Sequence, residues 1–233
     1  MSKVRLYVAS IFSCLFSLAG FWPYAASAED PAALAGRVQG QYKKIQSISA
    51  SYERISRLVA AGDQKRQLVK GQGQLFWARP VFLRLEQEKP RPELVVVQKD
   101  LVWWVRPSQN RAEIYAAEQF TAGLRPLMDT LGGLARLDES FDLTDPTPEE
   151  SKLGDGGPVL VLIPQQKRMD LKRLVVWFEP EKLILKGFSM ISLMGDVTQY
   201  FLADVKVNPE LPLQTFSYTP PSDFKVIDHR VRR

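Results

Sequence analysis

The stretch GQGQLFWARP, Gly71 to Pro80, decides how the rest of the chain is read. Two glycines space its start, Leu75, Phe76 and Trp77 follow without a break, and Arg79 stands directly before a proline. The stretch reads as most of a strand over 68–78, with large apolar groups on both of its faces. A strand of an antiparallel sheet with one wet face alternates apolar and polar residues instead. The second apolar face therefore needs a cover, and a bound ligand or a lid is the expectation. Pro80 biases the residue before it to an extended backbone, which gives the guanidinium of Arg79 a defined direction.

Working outward, short apolar runs bounded by Pro, Gly, Asp or Asn predict further strands over 49–58, 82–87, 94–97, 101–105 and 111–116. A second set follows over 159–163, 173–178, 183–191, 198–207 and 214–218. Several are continuous rather than alternating, such as Leu94-Val95-Val96-Val97 and Leu101-Val102-Trp103-Trp104-Val105. Two sheets packed into a thick sandwich would explain such runs, and so would one curved sheet around an oily hollow. Before the first strand, Asp30 and Pro31 form a helix start, and Leu34, Val38, Tyr42, Ile45 and Ile48 recur as one helical stripe. That helix is expected to end near Ser47. Midway, Leu124, Leu127, Met128 and Leu131 form the aliphatic face of a short helix stopped by Gly132-Gly133. It reads either as a lid or as plain core packing. The segment over 145–150 reads as an exposed loop. The sum is one domain of ten or eleven antiparallel strands, one long N-terminal helix and one short helical insert.

The first 28 residues stand apart. Lys3 and Arg5 precede an apolar run over 6–18, and Ala26-Ser27-Ala28 closes it, which is the layout of a secretory signal cleaved after Ala28. The run is short for a membrane span, which takes roughly 20 apolar residues; an uncleaved anchor is the competing reading. Cleavage removes 28 of the 233 residues and leaves 205 in one domain, 29–233. Lys3 and Arg5 leave with it, so 29 basic residues of 31 face 26 acidic ones. That balance is mild and unclustered, and gives no reason to expect nucleic acid. Cys14 also leaves, so the exported domain has no disulfide and relies on its core.

Catalytic chemistry has few carriers in this composition. The lone His229 lies in the tail and the exported domain has no cysteine, which removes Ser-His and Cys-His nucleophilic machinery and ordinary zinc sites. Asp138, Glu139, Asp142, Asp145, Glu149 and Glu150 fit no calcium-loop spacing and read as a solvated loop. No glycine-rich phosphate cradle follows a strand. No cofactor or metal is expected, and the chain reads as a non-enzyme.

Gly71-Gln72-Gly73, Leu75, Trp77 and Arg79-Pro80 resemble the signature of the periplasmic outer-membrane lipoprotein carriers of LolA type. Four further segments keep the family's order. Val95 to Pro107 resembles its apolar hairpin. Met194-Gly195-Asp196 with Thr198 and Phe201, and then Val205 to Asn208, resemble its penultimate strands. Phe216-Ser217-Tyr218-Thr219-Pro220-Pro221 with Val226-Ile227-Asp228 resembles its closing segment. Lys99-Asp100 lacks the family's turn glycine, and Val105 stands where an aromatic is common. The resemblance implies an unclosed antiparallel β half-barrel, mainly β with helices, whose concave face is covered by the N-terminal helix and the mid-chain lid. It implies a monomeric periplasmic carrier that holds lipoprotein acyl chains in the hollow. Its partners would be an inner-membrane ABC lipoprotein-releasing complex and an outer-membrane lipoprotein receptor. It also implies that Arg79 gates the hollow through hydrogen bonds to lid loops; a strand-end arginine pointing to water is the plainer reading. Trp77, Leu83, Leu85, Trp103 and Val105, with Leu124, Leu127, Met128 and Leu131 of the insert, are the candidate lining residues. A related lipid- or glycolipid-binding or envelope-stress sensor domain is the alternative; an exported hydrolase and a pilotin-like partner are more distant ones.

Overall fold

The protein is described here by a computed structural model that covers residues 30–59, 67–117, 127, 130–132, 134, 136–167 and 169–230. The first helix, α1 (Pro31–Tyr42), begins as its sequence dictates, with Asp30 Oδ1 accepting from the Ala32 amide and Pro31 in the first turn. It buries Leu34, Ala35, Val38 and Tyr42. It stops at Tyr42, short of the expected Ser47, although Ile45 and Ile48 are also buried. The amides of Lys44 and Ile45 turn back to the carbonyls of Gln41 and Tyr42. The amide of Gln46 donates to the side chain of Asn208 at 2.7 Å. The backbone is thus drawn out of the helix while the apolar period runs on.

Twelve strands follow in one sheet: β1 (Ser47–Leu58), β2 (Gln67–Ala78), β3 (Phe82–Lys89), β4 (Glu93–Gln98), β5 (Leu101–Arg106), β6 (Arg111–Ala116), β7 (Phe141–Thr144), β8 (Val159–Pro164), β9 (Arg173–Phe178), β10 (Leu185–Ile191), β11 (Val197–Val207) and β12 (Lys225–Asp228). Their spatial order is β12-β6-β5-β4-β3-β2-β1-β11-β10-β9-β8-β7, so the sheet does not close on itself. Every pairing is antiparallel except β12 on β6, which is parallel. The mainly-β, unclosed architecture is the expected one, and its single-sheet form replaces the sandwich alternative.

Three local expectations are corrected. The strand expected over 214–218 is instead a 3-10 turn, Leu213–Phe216, and an irregular extended run. Its carbonyls are served by side chains: Arg84 Nη1 donates to Thr215 O at 3.2 Å, and Gln98 Nε2 to Phe216 O. The expected loop over 145–150 contains a helix, α3 (Pro148–Leu153), because Thr147 and Glu150 form a reciprocal capping box. The four-residue strands β7 and β12 were not anticipated, and neither was the single-turn helix α2 (Leu137–Ser140).

Register sorts the side chains onto two faces. On the inner face one row runs Trp77, Leu83, Val97, Val102, Tyr115, and the next runs Leu75, Leu85, Val95, Trp104, Glu113. Across β8 to β2 a third row runs Leu160, Val176, Phe188, Tyr200, Arg54, Gly71. The core cluster joins this face to α1 and to Leu127, Leu131, Leu134 and Leu137. On the outer face a row runs Phe76, Arg84, Val96, Trp103, Ile114. The segment after β11 covers it: Phe216 is 1% exposed with its ring 5.4 Å from that of Phe82, and Tyr218 lies 5.4 Å from Trp103. The second apolar face of the opening stretch is therefore covered by the chain's own C-terminal segment and not by a ligand or lid.

Removing that cover has a calculable effect. Phe216→Ala deletes a fully buried ring over β3 and β4, and large-to-small changes of this kind cost about 3–5 kcal/mol. A urea titration is expected to show that loss as a lower midpoint at unchanged slope; an unchanged midpoint would mean the strap does not hold the outer face.

Candidate functional site

Arg79 directly follows β2 and reaches the C-terminus of α1. Its Nε donates to Ile45 O at 2.8 Å and its Nη2 to Tyr42 O at 3.1 Å, while its own amide donates to Gln46 O at 2.9 Å. The last carbonyls of a helix have no partner within it, and they form the negative end of its dipole. A planar, permanently charged fork can take one of them, Tyr42 O, together with Ile45 O just beyond the helix. The guanidinium also sits 5.6 Å from the Trp77 ring centroid. Two other contacts hold the same region: Asn208 on the Gln46 amide, and the Tyr42 hydroxyl, which accepts from the Leu185 amide at 2.9 Å. Burial raises the pKa of the Tyr42 phenol, so it stays protonated. The acceptors of Arg79 thus lie at the last residue of α1 and in the α1–β1 connection, and the helix covering the inner face is tied to the sheet through them.

The expected lining residues separate. Trp77, Leu83 and Leu85 face inward and are 1%, 0% and 6% exposed. Leu127 and Leu131 belong to the same buried cluster, joined by Leu134 and Leu137, which the sequence reading did not single out. Leu124 and Met128 lie outside the described residues. Trp103 and Val105 are corrections, because both stand on the outer face. The two-residue turn at Lys99-Asp100 pairs Val97 with Val102, hence Val95 with Trp104 and Val96 with Trp103. Trp104 is the inward ring, with the Arg106 guanidinium 4.7 Å from its centroid. Counting outward from that turn would have found it.

A polar group on the inner face was also missed. Tyr52 and Tyr200 are each 3% exposed, with ring centroids 5.5 Å apart, and Phe188 stacks on Tyr200 at 4.9 Å. Beside them Arg54 Nη2 donates to Gln87 Oε1 at 2.9 Å. The Tyr52 hydroxyl and Arg54 Nε are buried with no hydrogen-bond partner among the described residues. Leaving such a donor unmet costs about 1–3 kcal/mol. The motif glycines serve this region differently. A methyl at Gly71 would stand 2.8 Å from Gln87 Oε1 and 3.3 Å from Arg54 Nη2. One at Gly73 would fall 1.8 Å from the Glu86 carbonyl oxygen. Gly71 leaves room for the polar pair, and Gly73 lets two strands approach.

His229 is structural. Its Nε2 lies 2.8 Å from Glu113 Oε2, and its ring stacks on Tyr115 at 4.5 Å. Arg106 and Arg111 flank the same buried carboxylate, which Tyr115 also reaches through its hydroxyl. The group fastens the residue after β12 to β6. Among the described residues no cluster of three or more His, Cys, Asp or Glu is placed to hold a metal ion. No described helix is long and apolar enough to cross a membrane.

An unclosed sheet with an apolar inner face under a helical cover defines the half-barrel class of β proteins. Residues 43–219 match the model of the outer membrane lipoprotein carrier protein family, LolA, and the chain belongs to that family. It is similar to the outer-membrane lipoprotein carrier protein of Pseudomonas paraeruginosa, at 28% identity over 204 residues, covering 87% of this chain and 90% of that one. The protein of the same description from Legionella pneumophila is 22% identical over 191 residues, covering 82% and 87%. Among solved structures, a LolA superfamily protein from Nitrosomonas europaea superposes with a TM-score of 0.40 at 12% identity, covering 82% of this chain and 99% of that one.

Hydrogen bonds to a charged donor contribute about 1.5–3 kcal/mol each at most, and the Arg79 side chain makes two. Arg79→Met is expected to lower unfolding free energy by about 2 kcal/mol and to speed amide exchange in the last turn of α1, with Arg79→Lys intermediate because an ammonium lacks the fork. Unchanged exchange in α1 would show that the tie is not formed.

Proposed function

We propose that this chain is a non-enzymatic periplasmic carrier that holds the acyl chains of lipoproteins against its inner face. It would take them from an inner-membrane ABC lipoprotein-releasing complex to an outer-membrane receptor, acting as a monomer. Family membership supports the carrier role, as does the shared description of the relatives. The observation that carries the reading is the inner face itself. Apolar rows cross an open sheet and are capped by α1 and four leucines on or beside a short mid-chain segment. The N-terminal residues 1–28, cleaved after Ala28, would direct export.

The energetics suit transport without a coupled reaction. Exposing one chain of about 16 carbons to water costs on the order of 12 kcal/mol at roughly 0.8 kcal/mol per CH₂. A carrier must keep most of that surface covered. Leu127, Leu131, Leu134 and Leu137 cover the inner face when no cargo is present. Acyl chains that take their place exchange one apolar contact for another, so loading and unloading are close to balanced. Leu124 and Met128 extend the same apolar face in sequence, and Met adapts to varied chain shapes. Arg79 sets how firmly α1 is held while the exchange occurs, which is the gating role assigned to it here.

Depleting the protein from its native host is expected to leave outer-membrane lipoproteins in the inner-membrane fraction; a normal distribution would overturn the carrier reading. A photo-crosslinker at Leu127 should capture lipoprotein, and Arg79→Leu should still load cargo but hand it on slowly. Transfer at the normal rate by that variant would remove the gating role while leaving the carrier role in place.

A further inference from the structure

The polar group on the inner face has no part in covering it, and it stands among side chains that do. Tyr52, Arg54 and Tyr200 belong to neighbouring strands β1 and β11, with Arg54 directly across from Tyr200 and Tyr52 across from Leu202. Phe188 flanks Tyr200 in the same row, so the donors sit beside the apolar lining. On the other flank the row ends on Gly71, whose missing side chain leaves the space that Arg54 and Gln87 share. Two donor atoms there, the Tyr52 hydroxyl and Arg54 Nε, are buried and meet no acceptor among the described residues. Buried donors in native proteins are nearly always paired, so each of these two can take an acceptor.

We propose that Tyr52, Arg54 and Tyr200 form a donor site for the carbonyl oxygens that link the fatty acyl chains to the lipoprotein, so that the polar linkage of the cargo docks beside the apolar lining. The inference rests on the carrier reading and adds to it the part of the cargo that is read. The chemistry of the three groups agrees. Burial raises the pKa of both phenols, so each keeps its proton and has it to give, while the Tyr200 oxygen accepts from Arg54. The guanidinium of Arg54 offers donors and no acceptor. Glu88 and Glu93 lie near enough to act on the Tyr52 hydroxyl. One cation among carboxylates favours a neutral oxygen over a phosphate. An ester carbonyl is neutral, accepts on two lone pairs, and is attached to hydrocarbon that must lie against the apolar rows.

The test compares linkages on the same chains. The exported protein is titrated with a synthetic diacylglyceryl-cysteine lipopeptide and with its analogue carrying ether links in place of both esters. Fluorescence of Trp77 and Trp104, the inward rings, is the readout. One or two hydrogen bonds of ordinary strength predict about tenfold tighter binding of the ester form. Tyr52→Phe, Tyr200→Phe and Arg54→Met should each pull that ratio toward one, while the ether form binds as it does to the unsubstituted chain. Unchanged ether binding shows that the variant has kept its fold and its apolar face. Equal binding of ester and ether by the unsubstituted chain would overturn the donor site and leave the carrier reading standing. Binding of neither lipopeptide would overturn both. Phosphatidylethanolamine with the same chains distinguishes the source of the carbonyl. An ester preference there, with none for the lipopeptide, would assign the site to membrane phospholipid and overturn the proposal.

Discussion

A sheet that does not close has two faces, and over β2 to β6 both carry large apolar groups. Every other feature of the molecule answers that constraint. The inner face is covered by α1 and by the leucines of the mid-chain segment, the outer face of β2 to β6 by the run from Leu213 to Tyr218. Neither cover is held by apolar contact alone. Arg79 and Asn208 fix the end of α1, and Arg84 and Gln98 fix the outer run, in each case through side chains that meet backbone groups no strand or helix serves. The directional bonds choose where the covers sit; apolar burial supplies most of the stabilisation.

The two covers differ in a way that bears on function. The outer one sets two aromatic side chains, Phe216 and Tyr218, against a face that includes Val96 and Val105 at 0% and 1% exposure. The inner one adds to α1 a set of leucines of equal size, and hydrocarbon can replace such groups without leaving a hole. The same face contains the buried Tyr52 and Arg54 donors. One face is thus closed by aromatic side chains, and the other by groups that hydrocarbon matches in size.

Much of this was legible in the sequence. Strand positions followed from apolar runs and their punctuation, and the start of α1 from Asp30-Pro31. The end of α1 was not legible, because the helical period of Tyr42, Ile45 and Ile48 continues past the point where Asn208, far away in the chain, draws the backbone aside. Trp103 was placed on the wrong face because continuous apolar runs carry no alternation; only the hairpin register distinguishes it from Trp104. Arg79 was legible as a cation with a fixed direction, while its acceptors depend on where α1 stops. Tyr52 and Arg54 lay in a strand that reads as ordinary alternation, and nothing local signals that their polar ends turn into the core.

The place of β1 has a kinetic corollary. Strands β2 to β6 form one ladder of short-range hairpins that starts from β1, and β7 to β11 form another, yet the two meet only along β1 and β11, where Glu53 pairs with Phe201. Local ladders form early, whereas a contact across so long a separation waits on the closure of the whole intervening loop. Until that seam zips, β1 and β11 each present an unpaired edge, which invites association with other chains. The seam at the centre of the sheet is therefore the pairing that shields these two edges from other chains.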